Sequence, residues 1–231
     1  MCENERSCLV VAFNIFFKYS VIFITLIFCH LSFFPITVLT EFSSTKNKTM
    51  THTKWSLDPT HSTLSFKVKH LMITNVSGSF KNFNAEVETV GTDFTTAAIH
   101  LKAEIGSIDT NNAQRDGHLR SSDFFEVEKF PEMIFDSTKI EKVDEENYHV
   151  FGNLTMKGVT KPVKLNVEYS GETKDPWGSE RAGFVITGKI NRTDWGINFN
   201  TLLETGGVMV SEDVKINSEI QLVKQAVLVA A

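Results

Sequence analysis

The chain has 231 residues, 22% of them charged and 42% hydrophobic, with a formal net charge of −5. Such a length permits one large domain or two small ones, and the balance is that of an ordinary globular protein. A mildly acidic chain has no basic footprint for nucleic acid and, taken as a whole, no attraction to anionic membrane phosphates.

These averages cover two unlike pieces. All three cysteines (Cys2, Cys8, Cys29) and eight of the nineteen phenylalanines precede Met50, whereas all thirteen glycines follow it. We therefore read residues 1–49 as an apolar leader, anchor or untranslated extension, and residues 50–231 as the folded domain. Within the first piece an uncharged stretch, Tyr19 to Thr40, is long enough to cross a bilayer. A cleaved signal peptide fits it poorly: the run is long, only Arg6 and Lys18 supply upstream base, and no A-x-A-like site follows. An uncleaved anchor fits the length better, although His30 and Pro35 interrupt it and the flanking charges orient it weakly. Phe28 before Cys29 disfavours a lipoprotein. The remaining reading starts the working protein at Met50. The expected location is periplasmic or membrane-anchored, with membrane contact through 19–40, if residues 1–49 are translated; it is cytoplasmic if Met50 is the start. The lack of cysteine after Met50 is compatible with either redox compartment.

From Thr63 onward the dominant signal is period two. Leu64, Phe66, Val68 and His70 alternate with Ser65, Lys67 and Lys69, the pattern of a strand with one buried and one wet face. A β-rich run near 79–90 shifts its apolar parity at Asn82-Phe83, which predicts a bulge. Alternation returns in Ala97, Ile99, Leu101, Ala103 and Ile105. Between Thr110 and Ser122 lies the one helix candidate, short, with Thr110 as its expected cap and Gly117 weakening it. Further β-rich runs fall near 132–141 and 148–156, and alternation resumes at Val163, Leu165, Val167 and Tyr169. It recurs in Ala182, Phe184, Ile186 and Ile190, then in Val214, Ile216, Ile220 and Leu222. Gly91-Thr92-Asp93, Asp144 to Asn147 and Gly171 to Ser179 supply turn chemistry between strands.

The fold class is thus all-β, with eight mostly antiparallel strands and one short helix. A sandwich or a closed barrel would satisfy such strands, and closure removes unpaired edges. A membrane-spanning barrel is disfavoured because the polar face carries Lys67, Lys69, Lys102, Glu104, Lys164, Glu168, Lys215 and Glu219, too many ionised groups for a narrow lumen.

Three segments carry more than periodicity. They are Ser107-Ile108-Asp109-Thr110-Asn111 with Arg115 to Phe125 and Phe130-Pro131; Gly152-Asn153-Leu154-Thr155-Met156-Lys157-Gly158-Val159-Thr160-Lys161-Pro162-Val163; and Ile190-Asn191-Arg192-Thr193-Asp194-Trp195-Gly196. Together with the opening Trp55-Ser56-Leu57-Asp58-Pro59-Thr60-His61-Ser62 and with Phe66 to His70, they resemble the YceI-like family of lipid- and polyisoprenoid-binding proteins over roughly residues 54–224. The resemblance implies an eight-stranded lipocalin-like barrel whose interior takes a long isoprenoid, such as a polyprenyl phosphate or a quinone tail, as carrier or storage protein.

Alternation alone does not separate a filled core from a lipid cavity; the resemblance favours a cavity. Its candidate liners are Phe66, Val68, Ile99, Leu101, Leu165, Val167, Phe184, Ile186, Ile216 and Ile220. Arg115, His118 and Arg120 are candidate headgroup contacts, set against a structural reading in which the same cluster ties a loop to the barrel. An enzymatic alternative would use His118 with Asp116 as acid and base. The chain has no nucleophile motif, phosphate-binding glycine loop or paired metal-ligand spacing. The expected protein is a binder without catalytic residue, metal or cofactor, whose partner is an amphiphilic lipid; the third alternative is a filled-core interaction module.

Overall fold

A computed structural model of the chain describes residues 51–202 and 208–225. The anchor, leader and start-site expectations concern residues that lie outside the described ones. Eleven strands follow in order: β1 (His52–Leu57), β2 (Leu64–His70), β3 (Thr74–Phe80), β4 (Phe83–Val90), β5 (Asp93–Glu104), β6 (Ile108–Asp109), β7 (Glu132–Lys142), β8 (Asn147–Met156), β9 (Val159–Lys174), β10 (Glu180–Asn191) and β11 (Val210–Lys224). Helix α1 (Ala113–Arg120) lies between β6 and β7.

Eleven segments reduce to eight strands because three are broken once. β1 and β2 form one interrupted strand, as do β3 with β4 and β5 with β6, and each half keeps the same neighbour: β1 pairs with β4 and β2 with β3, while β4 pairs with β5 and β3 with β6. The remaining strands form a meander, and β11 closes the ring by pairing with β10 on one side and with both β1 and β2 on the other. Every ladder is antiparallel.

The breaks have a common cause. A strand presents alternate residues to one face, so a one-residue slip would turn its apolar set to water. Gly78 and Phe80 are buried in β3, but Ala85, Val87 and Thr89 in β4. The inward set passes from even to odd numbers across Lys81-Asn82, a break between strands next to Asn82-Phe83, where the parity shift predicted a bulge. The same exchange occurs between Trp55 and Leu57 in β1 and the even-numbered wall residues of β2, and between Ala103 in β5 and Ile108 in β6. Each break re-aims a long strand so that both halves keep their apolar side inward.

Two apolar clusters make up the buried core of the barrel. One is built on Ala103, Ile105, Ile108, Met156 and Trp195; the Trp195 indole donates to the Leu154 carbonyl at 3.0 Å. The other is built on Trp55, Leu57, Ala182 and Leu222, with Phe94, Tyr169 and Phe184 against it. Phe94 lies 5.0 Å from Phe184 and 5.2 Å from Trp55 between ring centroids, contacts that add to simple area burial. Burial, with Glu172 adding to it, pushes the Tyr169 phenol up to about 12, so it remains neutral.

Closure is reinforced by an ionic clamp spanning β11. Arg181 of β10 donates to Asp175 Oδ2 at 2.8 Å and to Asp58, which follows β1. The Thr60 hydroxyl (2.6 Å), then His61 and Arg181, hold the Asp58 carboxyl well below the usual range, against an opposing effect of burial. Asp175 is lowered by Arg181 first, and by the Ser179 and Trp177 amides. Both folded-state values lie below the unfolded ones, so their stabilisation is complete above the ordinary aspartate value of 3.8 and is lost as pH falls below it. Asp58→Asn is therefore expected to lower stability at neutral pH and to flatten the acid limb of the unfolding curve. Thermal unfolding between pH 2 and 7 checks this, and an unchanged acid limb would remove Asp58 from the account.

Candidate functional site

The inward faces of the strands line an apolar cavity of about 250 Å³. All ten residues read from alternation as liners (Phe66, Val68, Ile99, Leu101, Leu165, Val167, Phe184, Ile186, Ile216 and Ile220) are on its wall. Their placement follows from the pleat: Ile186 pairs with Val167 and Phe184 with Tyr169 on one side, while Phe184 pairs with Ile220 on the other, so each rung sends a neighbouring pair inward. The interior is therefore not a fully packed core. Gly188, also at an inward position of β10, widens it; a Cβ there would meet Leu165 Cδ2 at 2.7 Å.

Polar groups on the wall are few. Ser218 is fully buried, and its hydroxyl accepts from the Ser65 amide at 3.1 Å. Among the described residues the only charged side chain on the wall is Arg192, 5% exposed, at the start of the short 3-10 turn Arg192–Trp195. Its Nε donates to the Ser211 carbonyl at 3.0 Å, and its terminal nitrogens to Ile197 (2.5 Å) and Val210 (3.3 Å). No carboxylate pairs with it among the described residues. Burial pushes its pKa down, with Glu212 opposing, yet a guanidinium stays charged at neutral pH. Each of the three guanidinium nitrogens thus donates to a backbone carbonyl at the edge of an apolar space.

Sequence reasoning passed over Arg192, although a signal was present. Phe184, Ile186, Gly188, Ile190 and Arg192 form one period-two series, so the parity that found the liners also sends Arg192 inward. Leu119, Phe124 and Phe125, from α1 and the loop after it, were missed as well; they line the cavity, but a helix of two turns and a loop carry no strand periodicity to mark their inward residues.

The helix region corrects several expectations. Asn112, not Thr110, caps α1 by accepting from the Arg115 amide at 2.9 Å. Thr110 is occupied otherwise: its amide and hydroxyl donate to the buried Asp116 carboxylate at 2.9 and 2.5 Å. Arg115 donates to the Thr110 hydroxyl and carbonyl, each at 2.7 Å, and Arg120 to the carbonyls of Gly106 and Ile108, each at 2.9 Å. These guanidinium groups staple the helix to β6, and neither they nor His118 are on the cavity wall. The acid–base pairing of His118 with Asp116 is also absent: His118 Nε2 lies 2.9 Å from Asp123 Oδ2, and its ring stacks edge-on against Phe124 and Phe199. Among the described residues no three His, Cys, Asp or Glu side chains are grouped to hold a metal.

Comparison with known proteins places this geometry. A family model described as a YceI-like domain matches residues 55–222. A UPF0312 protein of Staphylococcus aureus strain N315 is 42% identical over 170 residues, which are 73% of this chain and 96% of that protein. The crystal structure of the Campylobacter jejuni YCEI protein is 34% identical with a TM-score of 0.60, covering 69% of this chain and 91% of that one. A polyisoprenoid binding domain from Saccharophagus degradans superposes with a TM-score of 0.53 over 74% of this chain and 98% of its own, at 17% identity, a likeness of fold alone.

Proposed function

Since the chain belongs to the YceI-like family, we propose that it binds a long-chain isoprenoid-type lipid, a polyprenyl phosphate or a quinone-like molecule, in the barrel interior as a carrier or storage protein. The observation that carries this reading is the interior cavity of about 250 Å³ whose described wall is apolar except for two serines, a tyrosine and Arg192. Binding there draws on apolar area removed from water, roughly 25 cal/mol per Å² before ordering costs. A branched aliphatic chain suits a wall of Val, Ile, Leu and Phe, and the positive charge of Arg192 suits a carbonyl or phosphate oxygen at its polar end. The description of the Saccharophagus degradans domain as polyisoprenoid binding supports the same ligand class. With Asp116 committed to Thr110 and His118 to Asp123, the reading is of binding without chemistry.

Organic extraction of the purified chain, followed by mass spectrometry, is expected to yield about one long-chain isoprenoid per protein. Repeated recovery of empty protein that takes up neither a polyprenyl phosphate nor a quinone would overturn the reading.

A further inference from the structure

One end of the barrel carries apolar side chains in water. β2 and β3 are joined by a tight turn closed by the Ile73 amide donating to the His70 carbonyl at 3.2 Å. Leu71 and Met72 occupy its two central positions with φ of 51° and 62°. Turns of this kind favour Asn and Gly, because bulky side chains are strained at positive φ. Here the strained positions hold large apolar residues, with Met72 49% and Ile73 78% exposed. The Leu71 amide donates to the Met209 carbonyl, and the Met209 amide to the Thr201 carbonyl, which brings Leu202, 81% exposed, to the same end. β2 runs directly from the cavity wall, at Phe66 and Val68, into this tip.

Beside the tip five lysines outnumber the two exposed carboxylates, Glu212 and Asp213, at the start of β11. Lys189 is paired in register with Lys215, and Lys215 with Lys67, so three adjacent strands set three lysines in one row on the outer face. Lys164, one position beyond the Leu165–Gly188 pair, shares a groove with Lys189 and Lys215. Lys69 stands two residues beyond Lys67. Only Lys189 among these forms an ion pair among the described residues, with Asp213 at 2.7 Å; Lys164 stacks over Phe151 and feels Glu141. Like charges directly opposite each other in a sheet are unfavourable. The net charge of −5 conceals this patch, so the expectation drawn from whole-chain charge does not describe this end of the molecule.

We propose that this end docks on an anionic lipid bilayer. At about 3.3 Å per residue, Lys69 stands roughly 7 Å and Lys67 roughly 13 Å behind Leu71. Apolar groups of surface-bound elements enter about 5–10 Å into the headgroup boundary. With Leu71, Met72, Ile73 and Leu202 at that depth, the lysines lie among the phosphates, where each basic residue adds attraction. Charge complementarity selects the bilayer over a neutral protein surface, and the docked end is continuous with the wall that β2 contributes to the cavity.

The test uses the full chain carrying Ile73→Trp, mixed with vesicles of brominated phosphatidylcholine with or without phosphatidylglycerol, and compared with the unsubstituted chain. The added fluorescence is expected to be quenched at least twofold on the phosphatidylglycerol vesicles. It should be quenched little on neutral ones, and Lys67→Glu with Lys215→Glu should restore it. Because the readout is local to position 73, vesicle binding through residues 19–40 does not mimic it. Absence of added quenching overturns the proposal. So does a concentration-dependent blue shift without vesicles, which would make the tip a contact between copies. Lipid recovered in the cavity despite either result would leave the proposed ligand standing and remove only the docking.

Discussion

Val167→Trp is expected to reduce the isoprenoid recovered from the purified protein about fiftyfold while leaving the barrel folded. Val167 is an inward residue at the middle of the wall, paired with Ile186 on β10 and with Tyr148 on β8. An indole there enters the space that a lipid chain would occupy. Displacing about 100 Å² of ligand contact removes roughly 2.5 kcal/mol at 25 cal/mol per Å², close to two decades of affinity. Forcing a large side chain into a packed core costs about 1–3 kcal/mol, and the cavity holds this substitution to the lower end. Glu168→Trp provides the control, because the next residue on the strand points to solvent and its indole should leave lipid content unchanged. Extraction with mass spectrometry, alongside thermal unfolding, separates loss of ligand from loss of fold. Unaltered lipid in a folded Val167→Trp protein would place the ligand outside the barrel.

The liners were legible because strand periodicity is two whatever the partner strand, so a local pattern such as Ala97, Ile99, Leu101 reports a face without knowledge of what lies opposite. A strand break was legible, as an expected bulge, where the apolar parity itself slips at Asn82-Phe83. The break after Leu57 was not, because Asp58 to Thr63 reads as a simple loop until Arg181, more than a hundred residues away, is seen to hold Asp58 across the closing strand. The Arg115 to Arg120 cluster was misleading for a related reason. Its charges look available in sequence, but their partners are backbone carbonyls of Gly106, Ile108 and Thr110, which every residue possesses and no sequence pattern marks. Arg192 had the reverse problem: its inward parity was visible, but a cation facing an apolar interior becomes credible only once the carbonyls around it are in place.

Those carbonyls set the expected outcome for Arg192→Met. Replacing a buried ion with an apolar residue of similar length can be neutral or stabilising, because the desolvation cost of the charge disappears. That argument requires its partners to be satisfied without it. Val210 O retains the Asn200 amide at 2.8 Å, but the Ser211 and Ile197 carbonyls both lose the guanidinium donor. Each orphaned carbonyl costs about 1–3 kcal/mol, against which the recovered desolvation is a partial offset, so a net loss of about 2–4 kcal/mol is expected. For a domain of this size it corresponds to a melting temperature lower by roughly 5–15 °C. Arg192→Lys tests the geometry separately from the charge, since an ammonium retains the cation but cannot fork to three carbonyls at fixed angles. Both variants should be destabilised, whereas only Arg192→Met should lose any preference for a polyprenyl phosphate over an uncharged quinone of equal chain length. Competition between the two lipids measures that preference, and its survival in a folded Arg192→Met protein would assign Arg192 to the loop it braces and not to the ligand.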